Sequence, residues 1–156
     1  MTLQLELALG YAAPRRGVPA RASFQRWAEA ALRGARRRGR FALSLRVVDA
    51  DEGHRLNRDY RGRDYPTNVL SFPADARMDG ARLLGDLALC APVVAREAVE
   101  QGKSATAHWA HLTVHGVLHL LGHDHEDAAR ASTMEALEVR ILAGLGLCNP
   151  YEDNAK

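Results

Sequence analysis

The chain has only two cysteines in 156 residues, Cys90 and Cys148, and they form no short-spaced pair. No disulfide framework is therefore implied. Long apolar runs are also missing. The longest covers nine residues, 87–95, with Pro92 inside it, well short of the roughly 18 a membrane span needs. The first six residues, M-T-L-Q-L-E, have no basic stretch ahead of an apolar one, so no signal peptide is expected and the cytoplasm is the expected location. Lysine is nearly absent, with two Lys against 19 Arg, and the net charge of +2 is close to zero.

What remains is the composition of a globular protein, 47% hydrophobic and 26% charged. A chain this long is expected to form one domain over residues 1–156, burying about 68–70% of the surface it exposes when unfolded. The small net charge hides an uneven distribution. Residues 15–63 hold 14 Arg and five acids, a net of +9, whereas residues 124–156 carry seven acids and three bases, a net of −4. A basic half of this kind fits a polyanionic partner such as nucleic acid, because arginine neutralises phosphates and releases counterions. Arginine as merely the preferred surface cation is the plainer reading.

Leu3, Leu5, Leu7 and Leu9 alternate with Gln4, Glu6 and Ala8, the pattern of a half-buried strand. Phe24, Trp27, Ala28, Ala31, Leu32 and Ala35 share one helical face. That helix is expected to end in Arg36-Arg37-Arg38-Gly39, with cations near the negative end of the dipole, and a role for this arginine run in contacting RNA is the equal alternative. Phe41 to Val47 alternates again as a strand. Asp49 and Glu52 are spaced as a capping box for a short helix carrying Leu56 and Tyr60. Residues 61–68 read as a loop. Residues 69–72 and 83–90 read as two strands separated by a turn-rich stretch with Asp79-Gly80. Pro92 opens a helix that Gly102 closes, Ser104 caps a long helix to Gly122, and residues 127–143 form the last one. This order predicts an α+β fold, a small mixed four-stranded sheet with about five helices, rather than regular βαβ repetition.

Six of the seven histidines fall between positions 108 and 125. On a helix at about 100° per residue, His108, His111, His115 and His119 lie within about 80° of arc. His115 and His119, four apart, stack on one face and can grip one metal ion. The run H-G-V-L-H-L-L-G-H-D-H over residues 115–125 has the ligand spacing of H-E-x-x-H-x-x-G-x-x-H zinc sites. Two ligands come from the helix, Gly122 makes the turn, and His125 is the third. Three ligands leave a tetrahedral position open, the mark of a catalytic zinc, which lowers the pKa of its water toward ~7 and can supply a hydroxide nucleophile. One Zn2+ per chain at the end of the long helix is the expectation. Gly116 stands where a metalloprotease carries its Glu base. His108 and His111 read as surface residues or as groups holding a ligand, Asp124 as a partner of a liganding imidazole or of the turn, and His123 as a competing imidazole. A structural site with Cys148 as fourth ligand is the weaker reading.

At these residues the chain resembles the YbeY family, bacterial metal-dependent endoribonucleases of ribosome maturation. The 115–125 run matches the family's H-G-x-L-H-L-x-G-Y-D-H signature, with His123 in place of the usual Tyr. Residues 56–73, L-N-R-D-Y-R-G-R-D-Y-P-T-N-V-L-S-F-P, match the block carrying the family's functional Arg, and L-G-D-L-A-L-C over 84–90 matches a strand block. The three blocks cover about a quarter of the chain. The resemblance implies zinc on His115, His119 and His125, with Arg61 as the catalytic cation facing the metal and Arg63 as a further substrate-binding candidate. It implies a single-strand-specific endoribonuclease acting in maturation of the 3′ end of small-subunit (16S) rRNA and in ribosome quality control. Its implied partners are single-stranded ribosomal RNA, the small ribosomal subunit and the GTPase Era, and no membrane.

The residues are compatible with this. RNA hydrolysis needs a nucleophile and charge stabilisation, which zinc and an Arg fork supply. Thr67, Asn68 and Ser71 read as turn and strand-start residues, Asp86 has no assigned role, and no side chain stands out as a general base. The alternatives are a zinc peptidase-like hydrolase, which Gly116 and the arginine-rich half oppose, and a non-catalytic zinc-containing ribosome assembly factor, which the open coordination position opposes.

Overall fold

The computed structural model describes residues 2–123 and 127–151. Nine elements follow one another: β1 (Leu3–Ala12), α1 (Arg21–Gly34), β2 (Gly39–Val48), α2 (Ala50–Arg61), β3 (Val69–Met78), β4 (Ala81–Cys90), α3 (Ala91–Glu100), α4 (Ala105–Leu120) and α5 (Ala128–Gly144). The sheet order is β1-β2-β4-β3. β1, β2 and β4 run parallel, and β3 is an antiparallel edge strand paired with β4. This is the α+β arrangement with a mixed four-stranded sheet and five helices that the element order predicts.

The alternation in β1 explains its placement. Leu5, Leu7 and Leu9 pair in register with Phe41, Leu43 and Leu45 of β2, and these apolar rows face the helices. Phe24 of α1 meets Trp27 of the same helix and Trp109 of α4 edge-to-face, with ring centroids 5.7 and 5.8 Å away. Each such fully buried large side chain contributes roughly 1.5–3 kcal/mol. α4 is buried nearly all round because α1, α3, α5 and the sheet all pack on it. Its half-exposed positions from 111 onward are His111, His115 and His119, so the helix presents one polar stripe.

Four details differ from the sequence reading. β3 continues to Met78 rather than ending at Phe72, and Asp79 and Gly80, both at positive φ (52° and 80°), make a tight hairpin turn. A proline in this strand is tolerated because β3 is an edge, and the register shifts just after Pro73. The capping box at α2 is half made: Asp49 Oδ1 accepts from the Glu52 amide at 2.9 Å, but the Glu52 carboxylate turns to Arg46 instead. The arginine run is not the last turn of α1. The helix ends at Gly34, Arg36 takes the left-handed conformation (φ 60°), and Gly39 opens β2. α4 stops at Leu120, where Gly122 (φ 97°) lets the Gly122 and His123 amides bond back to His119 and Leu118 carbonyls. That pair of bonds is the Schellman closure that satisfies the last helical carbonyls.

Candidate active site

α4 brings His115 and His119 to the same place one turn apart, and their Nε2 atoms stand 3.1 Å from each other. Nitrogens bound to one tetrahedral zinc at 2.0–2.1 Å lie roughly 3.3–3.4 Å apart, so this pair has the bite of a metal site. On its other side, His115 Nδ1 lies 2.6 Å from Glu138 Oε1 of α5. Glu138 is completely buried. Burial alone pushes its carboxyl pKa up, but hydrogen bonds from His111, His115 and Tyr151 and the His115 charge outweigh that and hold it down at about 2. An ionised carboxylate can only accept, so His115 Nδ1 carries the proton and Nε2 is the nitrogen able to bind a metal. This is the carboxylate–histidine arrangement that fixes the tautomer of metal-binding imidazoles.

Glu138 Oε2 is also occupied, accepting from His111 Nε2 at 2.9 Å and from the Tyr151 hydroxyl at 2.5 Å. Burial, and then the adjoining carboxylate, raise the pKa of that hydroxyl, so it stays protonated and donates. One ligand atom from each of His111, His115 and Glu138 lies within 4.8 Å of the others, and this group could hold a metal ion. Because both carboxylate oxygens already accept hydrogen bonds, the donor set fits an ion better on the His115–His119 side, with Glu138 behind it.

Arg61, expected in a loop, is the last residue of α2, and Gly62 (φ 67°) ends the helix immediately after it. The following segment is pinned by Asn57, only 1% exposed, whose Nδ2 donates to the Tyr65 carbonyl at 2.7 Å. The Asn68 carbonyl then accepts from the Cys90 amide, joining the segment to the sheet. The result is a cleft of about 320 Å³ lined by Arg61, Thr67, Asn68, Ser71, His115 and His119. Arg63 is exposed and lies outside this lining. His125 and Asp124 fall outside the described residues.

Several residues carry roles that the sequence reading missed. Glu138 sits among Met134, Leu137, Ile141 and Leu142 on the buried stripe of α5, and a carboxylate on an apolar stripe was the available signal. Thr67, Asn68 and Ser71, read as turn and strand-start residues, line the cleft. Asn68 does both jobs, since its Oδ1 accepts from the Val69 amide and its Nδ2 donates to Glu97 at 3.0 Å. His108 is not a surface residue. It is 2% exposed and bonds Glu97 at 2.9 Å, and burial lowers its pKa. Gly116 faces the sheet rather than the cleft, where an added Cβ would lie 2.8 Å from Leu87 Cδ2.

The chain is similar to known proteins over most of its length. A family model described as Endoribonuclease YbeY matches residues 16–146. The protein named Endoribonuclease YbeY of Stenotrophomonas maltophilia strain R551-3 is 60% identical over 154 residues, covering 96% of this chain and 94% of that one. Its namesake from Alkalilimnicola ehrlichii is 61% identical over 140 residues, covering 88% and 84%. The solution structure of TM1509 from Thermotoga maritima has a TM-score of 0.57 at 21% identity, over 98% of this chain and 99% of that one. At that identity it speaks for the fold alone.

Proposed function

The chain belongs to the YbeY endoribonuclease family, and from that membership we propose that it hydrolyses single-stranded RNA with one zinc ion held by His115, His119 and His125. The observation that carries the reading is the meeting of the two Nε2 atoms with Arg61 across one cleft. When bound, the zinc ion supplies a Lewis acid that activates water and polarises a phosphoryl oxygen. The chain's own groups do the rest. Glu138 keeps His115 in the ligating tautomer, and Arg61 presents a planar fork that can take two oxygens of one phosphate as charge builds. The segment from Thr67 to Ser71 forms the wall opposite the histidines.

The substrate proposed from the family resemblance is the 3′ end of 16S rRNA during maturation and quality control, in the cytoplasm, with the small ribosomal subunit and the GTPase Era as partners. Among the described residues no helix is long and apolar enough to cross a membrane. A zinc peptidase is disfavoured because position 116, where such enzymes carry their glutamate base, holds a glycine that faces Leu87 and Val69 of the sheet.

The test is hydrolysis by the purified protein of a single-stranded ribosomal RNA fragment and of an unstructured peptide. Chelator-sensitive cleavage of the RNA alone is the expected result. Chelator-sensitive peptide hydrolysis without RNA cleavage overturns the proposal.

A further inference from the structure

Six arginines, Arg36, Arg37, Arg38, Arg40, Arg77 and Arg82, converge on one cavity of about 670 Å³, and its lining contains no acidic residue. They come from the α1–β2 connection, the start of β2, the end of β3 and the start of β4. Among the described residues none of the six has a carboxylate within ion-pair distance. Arg40 Nη1 donates to the Asp79 carbonyl at 2.9 Å, which ties the β2 start to the hairpin turn. Arg77 and Arg82 stand directly opposite each other in the antiparallel register, and like charges so placed are destabilising. The fold tolerates a self-repelling cluster here although acids elsewhere pair with Arg46, Arg58 and Arg96. An anion is what such a cavity lacks.

We infer that this cavity is a docking site for the phosphate backbone of the RNA substrate, separate from the cleft where cleavage occurs. The inference rests on the reading of the chain as a nuclease acting on RNA. The two sites lie at opposite ends of β3: Val69 and Ser71 line the cleft, and Arg77 lines the arginine cavity. From Val69 to Arg77 along that strand, at about 3.3 Å per residue step, they are separated by about 26 Å. At ~3.4 Å per stacked nucleotide that distance corresponds to about eight nucleotides. A guanidinium fork matches phosphate oxygens in pairs, and a concave group of six suits a chain of phosphates rather than a single ion. RNA long enough to reach from the cleft engages both sites, and shorter RNA engages the cleft alone.

The experiment uses the full chain, single-stranded RNAs of about six and about thirty nucleotides, and two triple variants. One is Arg37→Gln/Arg38→Gln/Arg77→Gln in the cavity. The other is Arg16→Gln/Arg26→Gln/Arg140→Gln, which removes the same charge at exposed positions elsewhere. Binding by fluorescence anisotropy across a salt series, with melting temperature as the folding control, gives the readout. The cavity variant should bind the long RNA at least tenfold more weakly. Its salt slope should fall by about 2, three phosphate contacts at ~0.7 each, and its cleavage rate on the short RNA should be unchanged. The control variant should stay within about twofold of wild type on the long RNA. Equal weakening in both variants, or weakening in neither, overturns the docking site. Cleavage of the short RNA tests the nuclease reading separately. If the short RNA stays intact while the cavity variant still loses the long one, that reading fails and the docking site stands.

Discussion

At the scale of single residues, the weight of the site falls on Arg61 and Glu138. Arg61 is exposed at the end of α2, so it adds little to the core and its removal should not touch the fold. Arg61→Ala is expected to leave zinc content and melting temperature near wild type while lowering the RNA cleavage rate by about 10²-fold or more, the scale of losing one charge-stabilising donor. Arg61→Lys should recover only part of this, because an ammonium has no fork. Cleavage at the wild-type rate in Arg61→Ala would make the residue structural. Glu138→Gln keeps the shape but lets the group donate as well as accept, loosening the hold on the His115 tautomer. Zinc affinity should fall 10–100-fold, the usual cost of losing such a partner, as titration with a chelator-buffered metal would read. The same carboxylate gives a pH signature. Its folded pKa of about 2 lies below the ordinary 4.5, so its stabilisation is complete above 4.5 and is lost as pH falls from there toward 2. Stability measured over that window should drop less steeply with acid in Glu138→Gln than in wild type.

At the scale of elements, the register of β3 against β4 shifts between Pro73 and Ala76, beside Gly85. Gly85 has φ 131°, and a Cβ there would stand 2.2 Å from the Phe72 carbonyl oxygen and 2.9 Å from the Ala74 amide nitrogen. Backbone cannot step aside as a side-chain tip can. Gly85→Ala should therefore cost at least about 2 kcal/mol by chemical denaturation, and unchanged stability would show that this backbone relaxes freely. The helices and the alternating strands were legible in the sequence because their periods and caps are local, as with Ser104, Asp127 and the leucines of β1. The far half of β3 was not. Pro73, Asp79 and Gly80 carry the local signature of a turn, and only pairing with β4, a tertiary fact, extends the strand to Met78. The capping box at Asp49 failed for a related reason: the helix start competed with Arg46 on the neighbouring strand for the Glu52 carboxylate, and the charged pair won.

At the scale of the whole molecule, the fold is a scaffold for bringing distant segments together. Arg61 ends α2, Thr67 to Ser71 enter the edge strand, the histidines ride α4, and Glu138 reaches in from α5. Spacing along one helix made the His115–His119 pair legible, and the block around Arg61 stood out by family resemblance. Glu138, Tyr151 and the wall at Thr67 did not stand out, since their roles exist only once α5 and β3 are laid against α4. The central claim is that the pair four residues apart on α4 holds the metal, with the histidine six residues further on. Zinc per chain in purified wild type, His119→Ala and His123→Ala measures it most directly. The account predicts about one zinc in wild type and in His123→Ala and almost none in His119→Ala, because two ligands rarely retain the ion. Full zinc in His119→Ala, with loss in His123→Ala, would contradict it.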